Sequence, residues 1–277
     1  MTKGDKMKNL IVASLVICAA IGNTAIAYAD DDEMGTRNWK DWDVTIGIGA
    51  EYEQVSPGID KYESEVQPYV DIEYKDIYFI KSQYGIGAYF LKLDEDKDAM
   101  DLEIGFAIGY DFGREETDAQ KELDGLGDVK GSAEAVMFVE TEIGPTELEF
   151  ELAKGLGSKG HNGIHGEFEA GLDGMVTRNI FLSAGAFLTY GNSKYLQSYY
   201  GITAEQASNS STYSATYKPG SGLESYGVGF DAQYMLNKNW SLFGMTEYTR
   251  LAGDAKDSPI AKDDSFFSST LGVSYTF

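Results

Sequence analysis

The sequence Asp101-Leu-Glu-Ile-Gly-Phe-Ala-Ile-Gly-Tyr110 decides the fold. Large apolar side chains occupy every second position in it, and acidic or small residues occupy the positions between them. Successive side chains of a β-strand point to opposite faces, so this period of two predicts a strand with one apolar face. The sheet that contains the strand must therefore meet an apolar environment on that face.

The same alternation recurs along the chain after residue 41, and we find no comparable helical period. It predicts an all-β fold of about twelve strands, with ten as the alternative count, and residues 77–93 are also compatible with one long strand. The predicted strands are 42–52, 66–74, 77–82, 84–93, 100–110, 129–143, 146–155, 163–176, 180–190, 225–236, 240–251 and 265–277.

The strand lengths and the aromatic residues favour a transmembrane antiparallel β-barrel of the outer membrane. About ten residues per strand cross a ~25 Å apolar band when the strand is tilted. Tyr and Trp recur near strand ends, where amphipathic rings settle at membrane interfaces. Tight turns alternate with long links, as periplasmic turns alternate with outer loops in such barrels. A soluble β-sandwich also alternates, but it does not require these aromatic belts.

The two termini carry targeting signals. Lysines, an apolar run of 13 residues and the site Ala27-Tyr28-Ala29 predict a secretory signal over residues 1–29, cleaved between Ala29 and Asp30. Residues 30–41 are then a short periplasmic tail, and 42–277 form the barrel. In the last strand apolar residues alternate with polar ones up to Tyr275 and Phe277. This C-terminal pattern resembles the signal that the barrel-assembly machinery recognises.

The acids determine what the barrel interior attracts. The chain has 45 Asp and Glu against 22 Lys and Arg, a net charge of −23, which argues against a nucleic-acid partner. If the apolar face contacts outer-membrane lipid, many acids line the lumen. Two interpretations stay open: the lumen attracts cations, or its acids form a polar wall that water and counter-ions solvate. The candidate lumen carboxylates are Glu51, Asp71, Asp101, Glu103, Glu134, Glu167, Glu169 and Asp231.

Two further stretches contain candidate functional residues. His161 and His165 have Glu167 and Glu169 close in sequence, a set able to activate water or bind a metal. No nucleophile motif accompanies them, so we predict no catalytic residues, no metal and no cofactor. In the 191–224 link, a capping box at 203–206 predicts a short helix. The same link contains five tyrosines that suggest a contact surface or a plug: Tyr195, Tyr199, Tyr200, Tyr213 and Tyr217.

Four stretches resemble the MipA/OmpV family of outer-membrane proteins, the MltA-interacting proteins. They are Gly109-Tyr-Asp-Phe-Gly-Arg114, Leu123-Asp-Gly-Leu-Gly-Asp128, Tyr199-Tyr-Gly-Ile-Thr203 with 206–208, and residues 248–260. The resemblance extends from about residue 42 to the C-terminus, and the stretch 250–260 is its most specific part.

The resemblance implies a barrel without enzymatic activity. It also implies a scaffold role, in which the barrel joins a lytic transglycosylase to a bifunctional penicillin-binding protein in murein synthesis. The residues themselves leave two rival functions open, a narrow cation-preferring channel and a surface-binding, adhesin-like barrel.

Overall fold

The computed structural model describes residues 41–93, 100–157 and 160–277, so the predicted signal, the tail up to residue 40 and the 94–99 link lie outside it. Within these residues the chain forms twelve antiparallel strands, three short α-helices and one 3₁₀ helix (Glu116–Ala119). The strands are β1 (Trp42–Gln54), β2 (Tyr62–Tyr74), β3 (Tyr78–Lys81), β4 (Gly85–Leu93), β5 (Met100–Arg114), β6 (Val129–Ile143), β7 (Thr146–Gly155), β8 (Ile164–Thr177), β9 (Ile180–Gly191), β10 (Gly222–Met235), β11 (Trp240–Leu251) and β12 (Ser265–Thr276). The helices are α1 (Ser193–Tyr200), α2 (Ala204–Asn209) and α3 (Gly253–Lys256).

The sheet closes on itself. Each strand pairs with its neighbours in sequence, and β1 pairs with β12 from Thr45↔Thr276 to Tyr52↔Ser269. Closure gives the first and last strands hydrogen-bond partners within the protein, which lipid cannot supply. The prediction of a twelve-stranded antiparallel barrel is therefore confirmed. No helix in the described residues is long and apolar enough to cross a membrane.

The outer face of the wall is apolar and has an aromatic belt near each end. Ile48, Ile108 and Val228 are each more than half exposed at mid-strand positions of this face. Rings on neighbouring strands pair near one end, with 4.5 Å between the centroids of Trp42 and Tyr74 and 4.9 Å between Trp240 and Tyr275. Near the other end Tyr52 and Tyr62 are 5.1 Å apart, and Tyr248 and Phe267 are 4.8 Å apart. Amphipathic rings at two levels match the two interfaces of a membrane.

The short turns lie at the end of the barrel that contains the Trp42–Tyr74 pair. The turn between β2 and β3 has positive φ at Lys75 and Asp76, 57° and 52°, as a type I′ hairpin requires. The β6–β7 turn has Gly144 at φ 62°. Outer-membrane barrels carry short turns on the periplasmic side, so this end is the periplasmic one.

The β3–β4 hairpin is much shorter than its neighbours and leaves a gap in the outer half of the wall. β3 pairs with β2 only over residues 71–74, and β4 pairs with β5 only from Ile108 downward. In the described residues no strand pairs with 62–69 of β2 or 109–114 of β5 on this side. Pro68 lies in the unpaired part of β2, where a residue that lacks an N–H is tolerated.

The structure corrects two strand boundaries. β2 begins at Tyr62 instead of residue 66, and β5 ends at Arg114 instead of residue 110. The sequence pattern missed these outer ends because polar residues interrupt the apolar face there, Ser64 in β2 and Arg114 in β5. Both extensions flank the gap described above.

An aromatic layer fills the barrel at mid-height. Phe79, Tyr84, Tyr89 and Phe138 pack together inside the wall, and the Tyr84 and Phe138 rings stack with centroids 3.9 Å apart. Phe243, with Met245 and Tyr69, forms a second inward cluster. β11 therefore has apolar residues on both faces, and its pairing with β10 and β12 contains no bulge.

The long loops fold into a cap over the outer mouth. Ile59, Leu123, Ile202 and Ile260 come from four different loops and pack into one buried cluster. α1 contributes Leu196, which is 1% exposed, to a second cluster with residues of β11, α3 and β12. The predicted helix after Thr203 is confirmed, and its capping box is complete.

We predict that Gly105→Ala destabilises the barrel by about 1–3 kcal/mol, since overpacking a filled interior has that cost. A Cβ at this position would overlap the ring of Phe138 in the aromatic layer. Urea unfolding in phospholipid vesicles, followed by tryptophan fluorescence, measures the change. Gly222→Ala is the control because a Cβ there meets open space, and equal losses in both variants would contradict the prediction.

We predict that Leu196→Ala loosens the cap, because removing a buried Leu side chain costs about 2–5 kcal/mol. Added protease should cleave the loops of the folded Leu196→Ala barrel faster than those of the wild type, while the strands of both remain protected. Lys194→Ala on the same helix is the control, since Lys194 is exposed. Equal cleavage rates in the three proteins would show that Leu196 does not hold the cap in place.

Candidate functional site

The inner wall of the barrel carries the candidate carboxylates. Asp231 is 2% exposed, and Glu51, Glu103, Glu134 and Glu169 are buried as well. The remaining three, Asp71, Asp101 and Glu167, are half-buried and line internal cavities. The structure therefore brings all eight residues to one surface, the lumen.

Two lysines neutralise part of this charge. Lys92 Nζ lies 3.0 Å from Glu73 Oε2 and 2.9 Å from Glu103 Oε1, and Lys81 Nζ lies 2.9 Å from Glu73 Oε1. Lys81 and Lys92 were not among the residues predicted from the sequence, although both occupy inward positions on β3 and β4. Each alternates with an outward apolar residue, Ile80 or Leu93, and this alternation would have predicted that the lysines face the lumen.

The aromatic layer separates the lumen into two cavities. The outer cavity has a volume of about 360 Å³, and the periplasmic cavity has about 340 Å³. On β6, Val136 lines the outer cavity, Glu140 lines the periplasmic one, and Phe138 of the aromatic layer lies between them. The described residues thus leave no shared lining between the two cavities.

The periplasmic cavity is an acidic vestibule. Nine acids and one lysine, Lys92, are among its lining residues. The acids are Asp43, Asp71, Glu73, Asp76, Asp101, Glu103, Glu140, Glu142 and Glu147. A concave site lined by one sign of charge concentrates counter-charged groups near it.

The outer cavity lies beneath the cap and reaches the gap in the wall. Tyr195 and Tyr200 of α1 and Phe266 of β12 form part of its lining, and so do Pro68 and Tyr110 beside the gap. Carboxylates of β6, β7, β8 and β10 line the same space: Glu134, Glu149, Glu151, Glu167, Glu169 and Glu224. The cavity therefore combines acidic and aromatic surface.

Both histidines meet carboxylates at the edge of this cavity. The His161 Nε2 atom lies 2.9 Å from Asp111 Oδ2 and 2.9 Å from Glu134 Oε1, and His165 Nε2 lies 2.9 Å from the same Glu134 oxygen. Burial lowers the pKa of His161, but the contacts with Asp111 and Glu134 outweigh it and raise the pKa to about 9. His161 is therefore an imidazolium at neutral pH when only these carboxylates surround it.

The partners of the histidines differ from those that sequence proximity suggested. Glu167 and Glu169 are near in sequence, whereas the structure places Asp111 of β5 and Glu134 of β6 against the imidazoles. These two acids lie on other strands, and only the register across β5 to β8 brings them to the histidines. Glu134 was among the predicted lumen carboxylates, and Asp111 was not.

The five loop tyrosines lie in the cap. Tyr195, Tyr199, Tyr200 and Tyr213 are buried, and Tyr217 is half-buried. The hydroxyl of Tyr200 donates to Glu224 at 2.9 Å and that of Tyr213 donates to the carbonyl of Glu122 at 2.7 Å. Four of the five rings are therefore packed inside the cap and are not available on the surface.

A family model described as "MltA-interacting protein MipA" matches residues 46–277. The chain belongs to the MipA family. The match covers the whole barrel except the first residues of β1, and the family resemblance noted from the sequence is confirmed. A search of curated proteins finds no match.

The fold of this MipA-family chain is similar to several outer-membrane barrels at low sequence identity. The NanC porin has 8% identity and a TM-score of 0.41, with 84% of this chain and 100% of the porin covered. An outer-membrane channel of Pseudomonas putida F1 has 11% identity and a TM-score of 0.38, with 88% of this chain and 100% of the channel covered. OmpT of Vibrio cholerae has 10% identity and a TM-score of 0.34, with 86% of this chain and 97% of OmpT covered. The closed sheet, the apolar outer face and the two aromatic belts described above are those of an outer-membrane β-barrel.

We predict that Lys92→Met destabilises this MipA-family barrel by about 1–3 kcal/mol, because the buried Glu103 carboxylate loses the half-buried cation beside it. Lys75→Met is the matched control. Lys75 lies 3.9 Å from Asp41 with half of its side chain exposed, and exposed pairs contribute about 0–1 kcal/mol. Urea unfolding in vesicles compares the two variants, and a similar loss in both would contradict the prediction.

Proposed function

We propose that this protein is a non-enzymatic outer-membrane barrel that holds a lytic transglycosylase of the MltA type at its periplasmic end. The acidic vestibule is the observation that carries the proposal. It opens among the short periplasmic turns, and Asp43 and Asp76 lie at its rim. The description of the family, MltA-interacting protein, supports the identity of the partner.

Charge complementarity is the physical basis of this docking. The vestibule is too small for a folded domain but accepts long side chains, so a basic segment of the partner would insert Lys or Arg into it. Opposite charge across an interface increases the association rate and fixes the orientation of the partner. A bifunctional penicillin-binding protein is the second partner in the proposal, and it would join the assembly in the periplasm.

The aromatic layer and the cap favour a scaffold over the two alternatives. A cation-preferring channel would draw on the acidic lining, but the layer of Phe79, Tyr84, Tyr89 and Phe138 would have to move for ions to pass. An adhesin-like role for the loop tyrosines would require exposed rings, whereas four of the five are buried.

The test is direct binding of a purified MltA-type transglycosylase to the full barrel in lipid nanodiscs. Replacing the vestibule acids together as Asp43→Asn, Asp101→Asn and Glu147→Gln should weaken binding about ten-fold, since each exposed pair contributes about 0.2–1 kcal/mol. The binding should also weaken as salt is raised, because salt screens exposed charges.

The matched control removes three acids from the outer loops. Asp60→Asn, Glu205→Gln and Asp257→Asn make the same change in net charge and should leave the affinity unchanged. No binding by the wild type, or an equal loss in both triple variants, would overturn the proposal. Steady cation-selective conductance of the wild type in planar bilayers would favour the channel instead.

A further inference from the structure

Four potential metal ligands converge at the outer edge of the lumen. Asp111 comes from β5, Glu134 from β6, His165 from β8, and His161 from the loop between β7 and β8. The Nε2 atoms of both histidines and Oε1 of Glu134 all lie within 4.8 Å of one another. Asp111 Oδ2 lies 2.9 Å from His161 Nε2 and completes the group.

Hydrogen bonds alone do not satisfy this arrangement. His161 is 0% exposed, and neither of its ring nitrogens makes a hydrogen bond of normal geometry in the described residues. A single Nε2–H points in one direction, so it cannot serve the oxygens of both Asp111 and Glu134. The same Glu134 oxygen also faces His165 Nε2 at 2.9 Å. One cation among these atoms would satisfy all four side chains.

Neighbouring groups hold the ligands in place. The Tyr199 hydroxyl donates to Asp111 Oδ2 at 2.5 Å, and the Gly113 N–H donates to Asp111 Oδ1 at 2.5 Å. The Tyr195 ring stacks on the His165 ring with centroids 4.6 Å apart. Outer partners of this kind orient the ligands in metal sites.

Gly155 allows His161 to approach the wall. A Cβ at Gly155 would lie 2.9 Å from Cε1 and 3.0 Å from Nδ1 of His161, and it would overlap the His161 carbonyl oxygen. Only a residue without a side chain lets the loop fold inward at this point. The buried position of His161 therefore depends on the glycine at position 155 of β7.

We propose that Asp111, Glu134, His161 and His165 form a binding site for a divalent transition-metal ion, with Zn²⁺ as the best match. Two imidazoles and two carboxylates, without a thiolate, are a donor set that Zn²⁺ accepts in tetrahedral geometry. Bonds of about 2.0–2.2 Å place tetrahedral ligands roughly 3.4 Å apart. The 2.9 Å contacts reach that spacing with small side-chain rotations.

The site is accessible and connects separate parts of the barrel. Asp111, Glu134 and His165 line the outer cavity, so an ion can enter from it. The bound ion would link the β7–β8 loop to strands β5, β6 and β8 beneath α1. A ligand that binds only the folded state stabilises it by mass action, so the ion would strengthen the junction of cap and wall. This site is independent of the vestibule and of the proposed scaffold role.

The test uses the full barrel in detergent, freed of metal with a chelator and then titrated with Co²⁺ as a spectroscopic substitute for Zn²⁺. We expect one ion per barrel, with the visible absorption of tetrahedral Co²⁺, and loss of that absorption when Zn²⁺ is added. Octahedral absorption in the wild type, or none, would overturn the proposal.

Variants separate this site from general binding to an acidic lumen. His161→Gln and His165→Gln should each abolish the tetrahedral absorption, and Tyr199→Phe should weaken binding 10–100-fold, as loss of an outer partner does. Asp101→Asn removes a carboxylate of the same acidic lumen at a distance from the site and should leave the titration unchanged.

The experiment remains decisive if one of these variants fails to fold. Heat-modifiable mobility on gels first shows which variants form a closed barrel. A folded histidine variant that retains the wild-type absorption would overturn the proposal. If neither histidine variant folds, the wild-type spectrum and the Tyr199→Phe titration decide, and unchanged affinity in Tyr199→Phe would count against the site.

Discussion

Backbone N–H and C=O groups inside a bilayer must find partners within the protein, because hydrocarbon offers none. The pairing of β1 with β12 meets that requirement by closing the sheet. Closure gives every strand an outside and an inside, and the period of two then assigns each side chain to one of them. The position of the acids, the aromatic belts and the two cavities all depend on this closure.

The interior that closure creates is strongly acidic, and the chain handles the charge in different ways at different depths. Near the periplasm, Lys81 and Lys92 pair with Glu73 and Glu103. At mid-height, aromatic rings pack in the lumen, and the Tyr84 hydroxyl lies within hydrogen-bond distance of both Glu140 and Glu149. At the outer edge, histidines take the role of the lysines. The vestibule and the histidine cluster are therefore separate chemical regions of one lumen.

The sequence was sufficient for the architecture because alternation is a local property. It predicted twelve strands, the short turns and the helix after Thr203, each from residues adjacent in the chain. It raised a plug only as one alternative for the 191–224 link, and it did not predict the contacts of His161, since these depend on which strands face each other across the barrel. Asp111 and Glu134 are 23 positions apart, and their meeting with His161 follows from the β5–β6 register and an inward loop. Local sequence patterns do not predict that register.

The short β3–β4 hairpin determines where the wall is mechanically soft. The periplasmic half of the barrel is a ring of twelve paired strands, but the outer half has ten strands and a seam between β2 and β5. Interstrand hydrogen bonds resist stretching of the circumference, and the seam lacks them in the described residues. We therefore expect the seam to yield more readily than the rest of the wall to lateral pressure in the outer leaflet. Pro68 and Tyr110 beside it also line the outer cavity, so we expect the volume of that cavity to respond to the packing of the surrounding lipid.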